Sequence, residues 1–230
     1  MHKELHAVLF DMDGTLVDTE RLWRQTAEEE ARKLGLRLDD EGIAFILGRS
    51  VKDSAVYLAS LTGDRTDVNR LCDALERRFA ELIQHQIDPL PGALPLLDTL
   101  HAAGVPTALV SASPRPIVDT VLDALGRHRF ATSFAAGETP ETKPAPDPYR
   151  AAMAALGVDP GHCVAIEDTP TGVASAEAAG CAVVAVPSLT DIVPGPRRTV
   201  ARSLLDVDLD LLRSMLLLSR EDFTPSPDHH

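Results

Sequence analysis

The sequence predicts an α/β fold: a parallel sheet with helices on both faces, interrupted after its first strand by an all-helical insert. Three observations carry this expectation. Short apolar runs alternate with helical patterns from Ala93 onwards, the arrangement that buries strands on both sides. Several of the helical patterns are followed by a glycine, a residue suited to ending a helix. Between Thr19 and Gln86 the periodicity is helical, and no strand-like run is convincing.

The elements follow in order. Leu5–Phe10 is a short apolar run that stops at Asp11 and reads as a buried strand. Glu20–Leu34 places Leu22, Trp23, Ala27, Ala31 and Leu34 on one helical face, with Gly35 after it. Asp39 and Asp40 are cap candidates for a helix through Leu47, and Val51–Leu61 and Val68–Gln86 continue the helical reading. Pro89-Leu90-Pro91-Gly92 breaks the chain. Then come a helix over Ala93–Ala103, a strand over Val105–Val110, a helix over Arg115–Leu125 and a short strand over Thr132–Ala136. Helix Pro146–Leu156, strand Cys163–Ile166, helix Thr171–Ala179 and strand Cys181–Val186 follow, with a last helix over Leu209–Leu218 and a frayed, Pro-rich Thr224–Asp228. The expected domains are therefore a core of residues 1–16 and 89–230 and an insert of residues 17–88.

Composition excludes several classes. Among 230 residues, 22 Lys+Arg stand against 35 Asp+Glu, a formal charge of −13, which is the wrong sign for a duplex nucleic-acid surface. Apolar residues at 44% and charged residues at 25% are a globular balance. The longest apolar runs, Cys181–Val186 and Met215–Leu218, are far short of the about 20 residues that a spanning helix needs, so no membrane partner is expected. Met1–Leu5 carries no signal-peptide pattern, and Cys72, Cys163 and Cys181 are scattered without metal-ligand spacing. These features predict reduced thiols and a cytoplasmic protein, and a monomer is expected.

The chemistry sits at the predicted strand ends. In open parallel sheets, ligands bind beyond the carboxyl ends of the strands. The first strand ends in Asp11-Met12-Asp13-Gly14-Thr15, the second in Ser111-Ala112-Ser113, and a later one in Glu167-Asp168-Thr169. Lys143-Pro144 lies on a loop between the last two. Each cluster alone has an ordinary reading: Asp-Gly as a turn, a Ser after a strand as a helix cap, Lys143 as a solvated charge. Their joint occurrence, in this order at successive strand ends, is what points to one pocket.

With these motifs in place, the sequence resembles the haloacid dehalogenase (HAD) superfamily phosphatases. The branch it resembles carries a helical cap after the first motif and includes β-phosphoglucomutase and small sugar-phosphate phosphatases. The resemblance spans Phe10–Glu20, Leu109–Pro114, Thr142–Tyr149 and Val164–Gly172. It implies a Rossmann-like core with an inserted cap. It also implies Mg²⁺ as cofactor and a small phosphorylated metabolite as substrate. Asp11 would be the nucleophile, forming an aspartyl-phosphate, and Asp13 the general acid and then base. Asp11 and Asp168 would bind the metal by side chain, Asp13 by its backbone carbonyl, with Glu167 nearby. Ser111 and Lys143, with backbone N–H groups of Met12 and Ala112, would grip the phosphoryl oxygens, and Thr15 would hold Asp13 by a hydrogen bond.

The insert is expected to be a lid hinged near Leu16–Asp18 and Gln86–Gly92. The specificity candidates are Glu20, Trp23, Arg49 in the Gly48-Arg49-Ser50 turn, and Ser113. Trp23 reads equally as a core residue between helices, and Arg49 as a solvated charge. The alternative activity is a phosphosugar mutase of the β-phosphoglucomutase type. That reading is weakened because its expected His, Arg and Lys are replaced by Trp23, Val51 and Pro114, although Arg49 and Arg115 lie close by in sequence. Asp18–Trp23 with Val110–Pro114 looks more like the hexitol- and deoxyhexose-phosphate phosphatases.

Overall fold

In the computed structural model, which describes residues 4–217 apart from 48, 64, 65 and 189, the first apolar run forms strand β1 (Ala7–Phe10). It lies between β2 (Thr107–Val110) and β4 (Cys163–Glu167). The sheet continues outward through β3 (Thr132–Phe134) on one side and β5 (Ala182–Ala185) and β6 (Arg198–Val200) on the other. The order is β3-β2-β1-β4-β5-β6, and every pairing is parallel. Strands β1, β2, β4 and β5 are buried along their whole length, which explains why they read as continuous apolar runs.

Alternation sends Ala7, Leu9, Ala108, Val110, Ala165 and Val183 to one face. There they pack with Tyr149, Ala152, Val173 and Ala176 from helices α7 (Asp147–Leu156) and α8 (Pro170–Ala179). The alternate set, among them Val8, Phe10, Leu109, Val164, Ile166 and Val184, is fully buried as well. Helices α5 (Ala93–Ala102) and α9 (Leu209–Met215) pack on β2 and β5, and α6 (Arg115–Leu125) follows β2. Each such buried Val, Leu or Ile contributes about 1.5–3 kcal/mol relative to exposure.

The described residues divide into two units, 4–17 with 89–217 and 18–88. The second consists of α1 (Thr19–Lys33), α2 (Asp40–Ile46), α3 (Val51–Ser60) and α4 (Val68–Gln86). All four begin at an Asp or Ser whose side chain accepts from a backbone N–H of the first turn: Asp18, Asp39, Ser50 and Asp67. Trp23, Ala27, Ala31, Ile46, Ala55, Leu58, Leu71 and Leu75 form its core.

The differences from expectation lie at edges. β1 begins at Ala7 rather than Leu5, and β2 begins at Thr107, just after Pro106, which has no N–H to give to a ladder. β6 has no counterpart among the predicted strands, because Arg198-Thr199-Val200 is short, partly exposed and not apolar. The last helix is assigned to Met215. Gly48, Leu218 and Thr224–Asp228 lie outside the described residues.

Candidate active site

Strand order places the candidate residues. The chain leaves β1 toward β2 and β3, then returns past it to β4, so the order reverses at β1 and β4. Such a reversal opens a crevice at the carboxyl ends of the strands. Asp11 leaves β1 there, and its backbone N–H donates to Ile166 O of β4 at 2.9 Å. Glu167 ends β4 and Asp168 follows it. Met12 O accepts from the N–H groups of Thr15, Leu16 and Val17, which winds the loop after Asp11 tightly. Gly14, at φ +80°, is required twice over: an L side chain is strained there, and its Cβ would lie 2.2 Å from Asp168 Oδ2.

Lys143 is the hub. Its Nζ donates to Asp11 Oδ1 at 2.6 Å, to Glu167 Oε1 at 2.6 Å and to Val110 O at 2.9 Å. An ammonium has three hydrogens, so all of them are used. The side chain is only 7% exposed, and the solvated-surface reading of Lys143 is overturned. Burial works against its charge, yet Asp11 and Glu167 outweigh that and raise its pKa.

The carboxylates are crowded. Asp11, Glu167 and Asp168 each bring an oxygen within 4.8 Å of the others, and all three residues are buried. Burial, then the Glu167 charge, raises the Asp11 carboxyl well above the usual carboxylate range, with Lys143 opposing. Burial likewise pushes Asp168 up to about 6, while the Ser188 hydroxyl bonded to it works the other way. One ammonium among three buried carboxylates leaves negative charge that a hard divalent cation would balance, and an all-oxygen donor set suits such an ion. The residues therefore fit a metal.

A second group surrounds Asp13. Ser111 Oγ donates to Asp13 Oδ2 at 3.1 Å and Ser113 Oγ to the same oxygen at 2.8 Å. The Ser113 N–H donates to Ser111 Oγ at 2.9 Å, so the two serines form one local turn. Ala112 stands exposed between them, and Met12 is fully buried. Thr15 corrects the expectation made for it. Its hydroxyl donates to Asp168 Oδ1, at 3.5 Å, and it is the two serines that serve Asp13.

Two side chains in the network were not singled out from the sequence. Ser188, after β5, donates to Asp168 Oδ2 at 2.6 Å. Tyr149 of α7 donates to Glu167 Oε1 at 2.6 Å. A lone Ser after a strand has no local signature; Tyr149 falls within a quoted motif, but its helical spacing reads as core.

The remaining candidates belong to the helical unit. Trp23 is 8% exposed and packs edge-on against Phe79 with ring centroids 5.2 Å apart. Its indole N–H has no partner among the described residues. Glu20 lies half-buried in the first turn of α1. Arg49 is exposed, with its guanidinium 4.1 Å from the Phe45 ring centroid. Arg115, in the core unit, is taken up: it donates to Glu138 Oε1 at 2.7 Å and to Ser133 Oγ at 2.8 Å.

Comparison with known proteins identifies the family. The family model for haloacid dehalogenase-like hydrolases matches residues 5–180. The chain belongs to this family. It is an enzyme of the HAD hydrolases, a phosphoric monoester hydrolase. Among relatives of this HAD hydrolase, the protein CbbY of Rhodobacter capsulatus is 34% identical over 196 residues, covering 80% of this chain and 86% of that one. Hexitol phosphatase A of Escherichia coli (strain K12) is 34% identical over 194 residues, covering 80% and 83%. The crystal structure of CbbY from Rhodobacter sphaeroides in complex with phosphate superposes with a TM-score of 0.73 at 27% identity, over 90% of this chain and 99% of the other. The six-stranded parallel sheet is thus the HAD Rossmann-like core.

Proposed function

We propose that this HAD hydrolase is a Mg²⁺-dependent phosphatase that cleaves a small phosphorylated metabolite, a sugar, polyol or ribosyl-type phosphate, through an aspartyl-phosphate on Asp11. The observation that carries the reading is the pairing of two carboxylates on one loop in different surroundings. Asp11 is bound through Oδ1 to a buried ammonium, and Asp13 through Oδ2 to two hydroxyls. The first arrangement suits a fixed nucleophile, the second a proton carrier.

Lys143 holds Oδ1 of Asp11, which orients the other carboxylate oxygen for attack on phosphorus. As the P–O bond to the leaving alcohol breaks, protonated Asp13 gives that oxygen its proton. Asp13, now a carboxylate, takes a proton from the water that attacks the aspartyl-phosphate. Inorganic phosphate leaves and Asp11 is restored. Ser111 Oγ and the N–H groups of Met12 and Ala112 bind the phosphoryl oxygens, and Lys143 joins them by giving up one of its three present acceptors. Asp11 and Asp168, the Asp13 carbonyl and Glu167 would hold the Mg²⁺, which supplies charge neutralisation for an anion attacking an anion. Glu20, Trp23, Arg49 and Ser113 are the candidates for substrate selection, and residues 17–88 would act as the cap.

The hexitol phosphatase relative supports the polyol-phosphate class. A mutase must also bind a second phosphate. Arg115, one of the cations offered for that task, is held by Glu138 and Ser133, which favours hydrolysis. The test is phosphate release across a panel of sugar, polyol and nucleoside phosphates, with Mg²⁺ and with EDTA, on wild type and Asp11→Asn. Metal-dependent release confined to wild type is expected. Release that survives in Asp11→Asn would sink the nucleophile assignment.

A further inference from the structure

Tyr149 is fully buried and, among the described residues, the largest side chain with so little exposure. A phenyl ring would fill the same space in the core beside β1, β2 and β4. The hydroxyl therefore needs its own account, since a buried hydroxyl is costly unless bonded. Its partner is Glu167 Oε1, at 2.6 Å, the same oxygen that accepts from Lys143 at 2.6 Å. The other oxygen, Oε2, accepts from the Asp168 N–H at 3.3 Å and from Thr169 Oγ1 at 3.4 Å. Gly172 of α8 closes the remaining side, because a Cβ there would lie 2.0 Å from the carboxylate carbon and from both oxygens. An interior helical glycine is ordinarily less stable than alanine. Here it leaves the room in which the Glu167 carboxylate sits.

Glu167 is thus enclosed by α7, α8 and its own strand end, with no exposed surface. Its route to the chemistry runs through Lys143, whose nitrogen it shares with Asp11. We infer that Tyr149 is a positioning residue: its hydroxyl, with Gly172, fixes Glu167, and Glu167 fixes Lys143 against Asp11. The kinetic consequence rests on the phosphatase reading above. With the hydroxyl removed, Glu167 Oε1 has one donor in place of two and draws on the ammonium alone, which alters the hold of Lys143 on Asp11. The cost falls on the chemical step and on the carboxylate cluster, while groups that bind the rest of the substrate are untouched.

The test is Tyr149→Phe, which keeps the ring and its packing. With the best phosphate ester of the panel, kcat is expected to fall about tenfold, the size of one hydrogen bond to a charged group, with KM changed less than about twofold. The melting midpoint is expected to move by less than about 4 °C, which shows that the core is intact. Calorimetric titration with Mg²⁺ alone is expected to give a dissociation constant weaker by about tenfold, as for other groups that orient a metal's carboxylates. Wild-type kcat in Tyr149→Phe, or a loss carried by KM, overturns the inference. Should wild type release no phosphate from any ester, the phosphatase reading fails on its own. The calorimetry then decides the role of Tyr149: equal titrations of wild type and Tyr149→Phe, including two without heat, overturn it.

Discussion

The two units hold their candidate residues by different means. In the α/β unit the charged and hydroxyl candidates bond to one another: Lys143 to Asp11 and Glu167, the two serines to Asp13, Thr15 to Asp168. In the helical unit Trp23 packs on Phe79 and Arg49 lies over Phe45. The first set is fixed by charge and by strand register, the second by packing and exposure. A residue of the first set cannot change without leaving a buried partner unsatisfied. Arg49 can change at the cost of one surface contact. This is the physical reason why short motifs name the chemistry of such a chain and leave its substrate unnamed.

The strongest way to break this contrast is Lys143→Met. The substitution removes the ammonium that, among the described residues, pairs with Asp11 and Glu167, and leaves buried carboxylates without it. Catalytic efficiency is expected to fall by about a thousandfold, at the upper end for a lost electrostatic partner. Stability in EDTA is expected to drop by about 3–5 kcal/mol, the range for breaking a buried pair, measured by urea unfolding. Activity within about tenfold of wild type would mean that Lys143 is not the hub, since even a lost oxyanion donor costs more.

Much of the α/β unit was legible because its strands end where their apolar runs end. Asp11, Ser111 and Asp168 stand directly at or beyond such ends, and parallel pairing brings those ends together. Lys143 was legible only through its motif, since nothing local distinguishes it from a surface lysine. What escaped was set by contacts distant in sequence. Ser188 reaches Asp168 through the register of β4 and β5, and β6 exists because β5 offers an edge to a segment with no apolar pattern of its own. Thr15 was assigned to the nearer carboxylate, whereas the wound loop turns its hydroxyl to Asp168. In the helical unit the Asp39 cap was legible, whereas the caps Asp18, Ser50 and Asp67 were not singled out and the surroundings of Trp23 and Arg49 depend on how the helices pack.

A smaller effect sharpens the contrast through pH. Burial raises the carboxyl groups of Asp11 and Asp168, the latter to about 6. A carboxyl whose folded pKa is raised stabilises the metal-free fold below the ordinary carboxylate range. That contribution is lost as pH rises through about 6. Mg²⁺ must displace those protons. Its affinity is therefore expected to rise with pH through about 6, as Asp168 gives up its proton, and to weaken by about tenfold per pH unit per displaced proton at lower pH. The Ser188 hydroxyl favours the charged form of Asp168. Ser188→Ala is expected to move the onset of weakening to higher pH and to cost about tenfold in affinity at neutral pH. Calorimetry from roughly one pH unit below the carboxyl's raised value to about two above it reads both. An unshifted profile in Ser188→Ala would remove Ser188 from the site.

The smallest effect is expected where the helical unit meets the question of substrate class. Arg49 is exposed, and its guanidinium rests on the Phe45 ring, which is itself stacked on Tyr57 at 4.3 Å. An exposed contact of that kind is worth about 0.5–1 kcal/mol. In the proposed reaction a monophosphate hydrolysed at Asp11 would be held by Lys143, Ser111 and the metal, so Arg49 would not be required for the bond that breaks. Arg49→Ala is accordingly expected to change kcat/KM for the best monophosphate by less than about threefold, within the worth of that surface contact. A mutase would respond differently, because a second phosphate has to be held while the first reacts. If a sugar bisphosphate elicits isomer formation and Arg49→Ala abolishes it, Arg49 is a phosphate ligand and the helical unit takes part in charge recognition. If phosphate release persists in Arg49→Ala and no isomer forms in wild type, the charged chemistry belongs to the α/β unit alone, and selection of the substrate falls to uncharged or acidic groups such as Trp23 and Glu20.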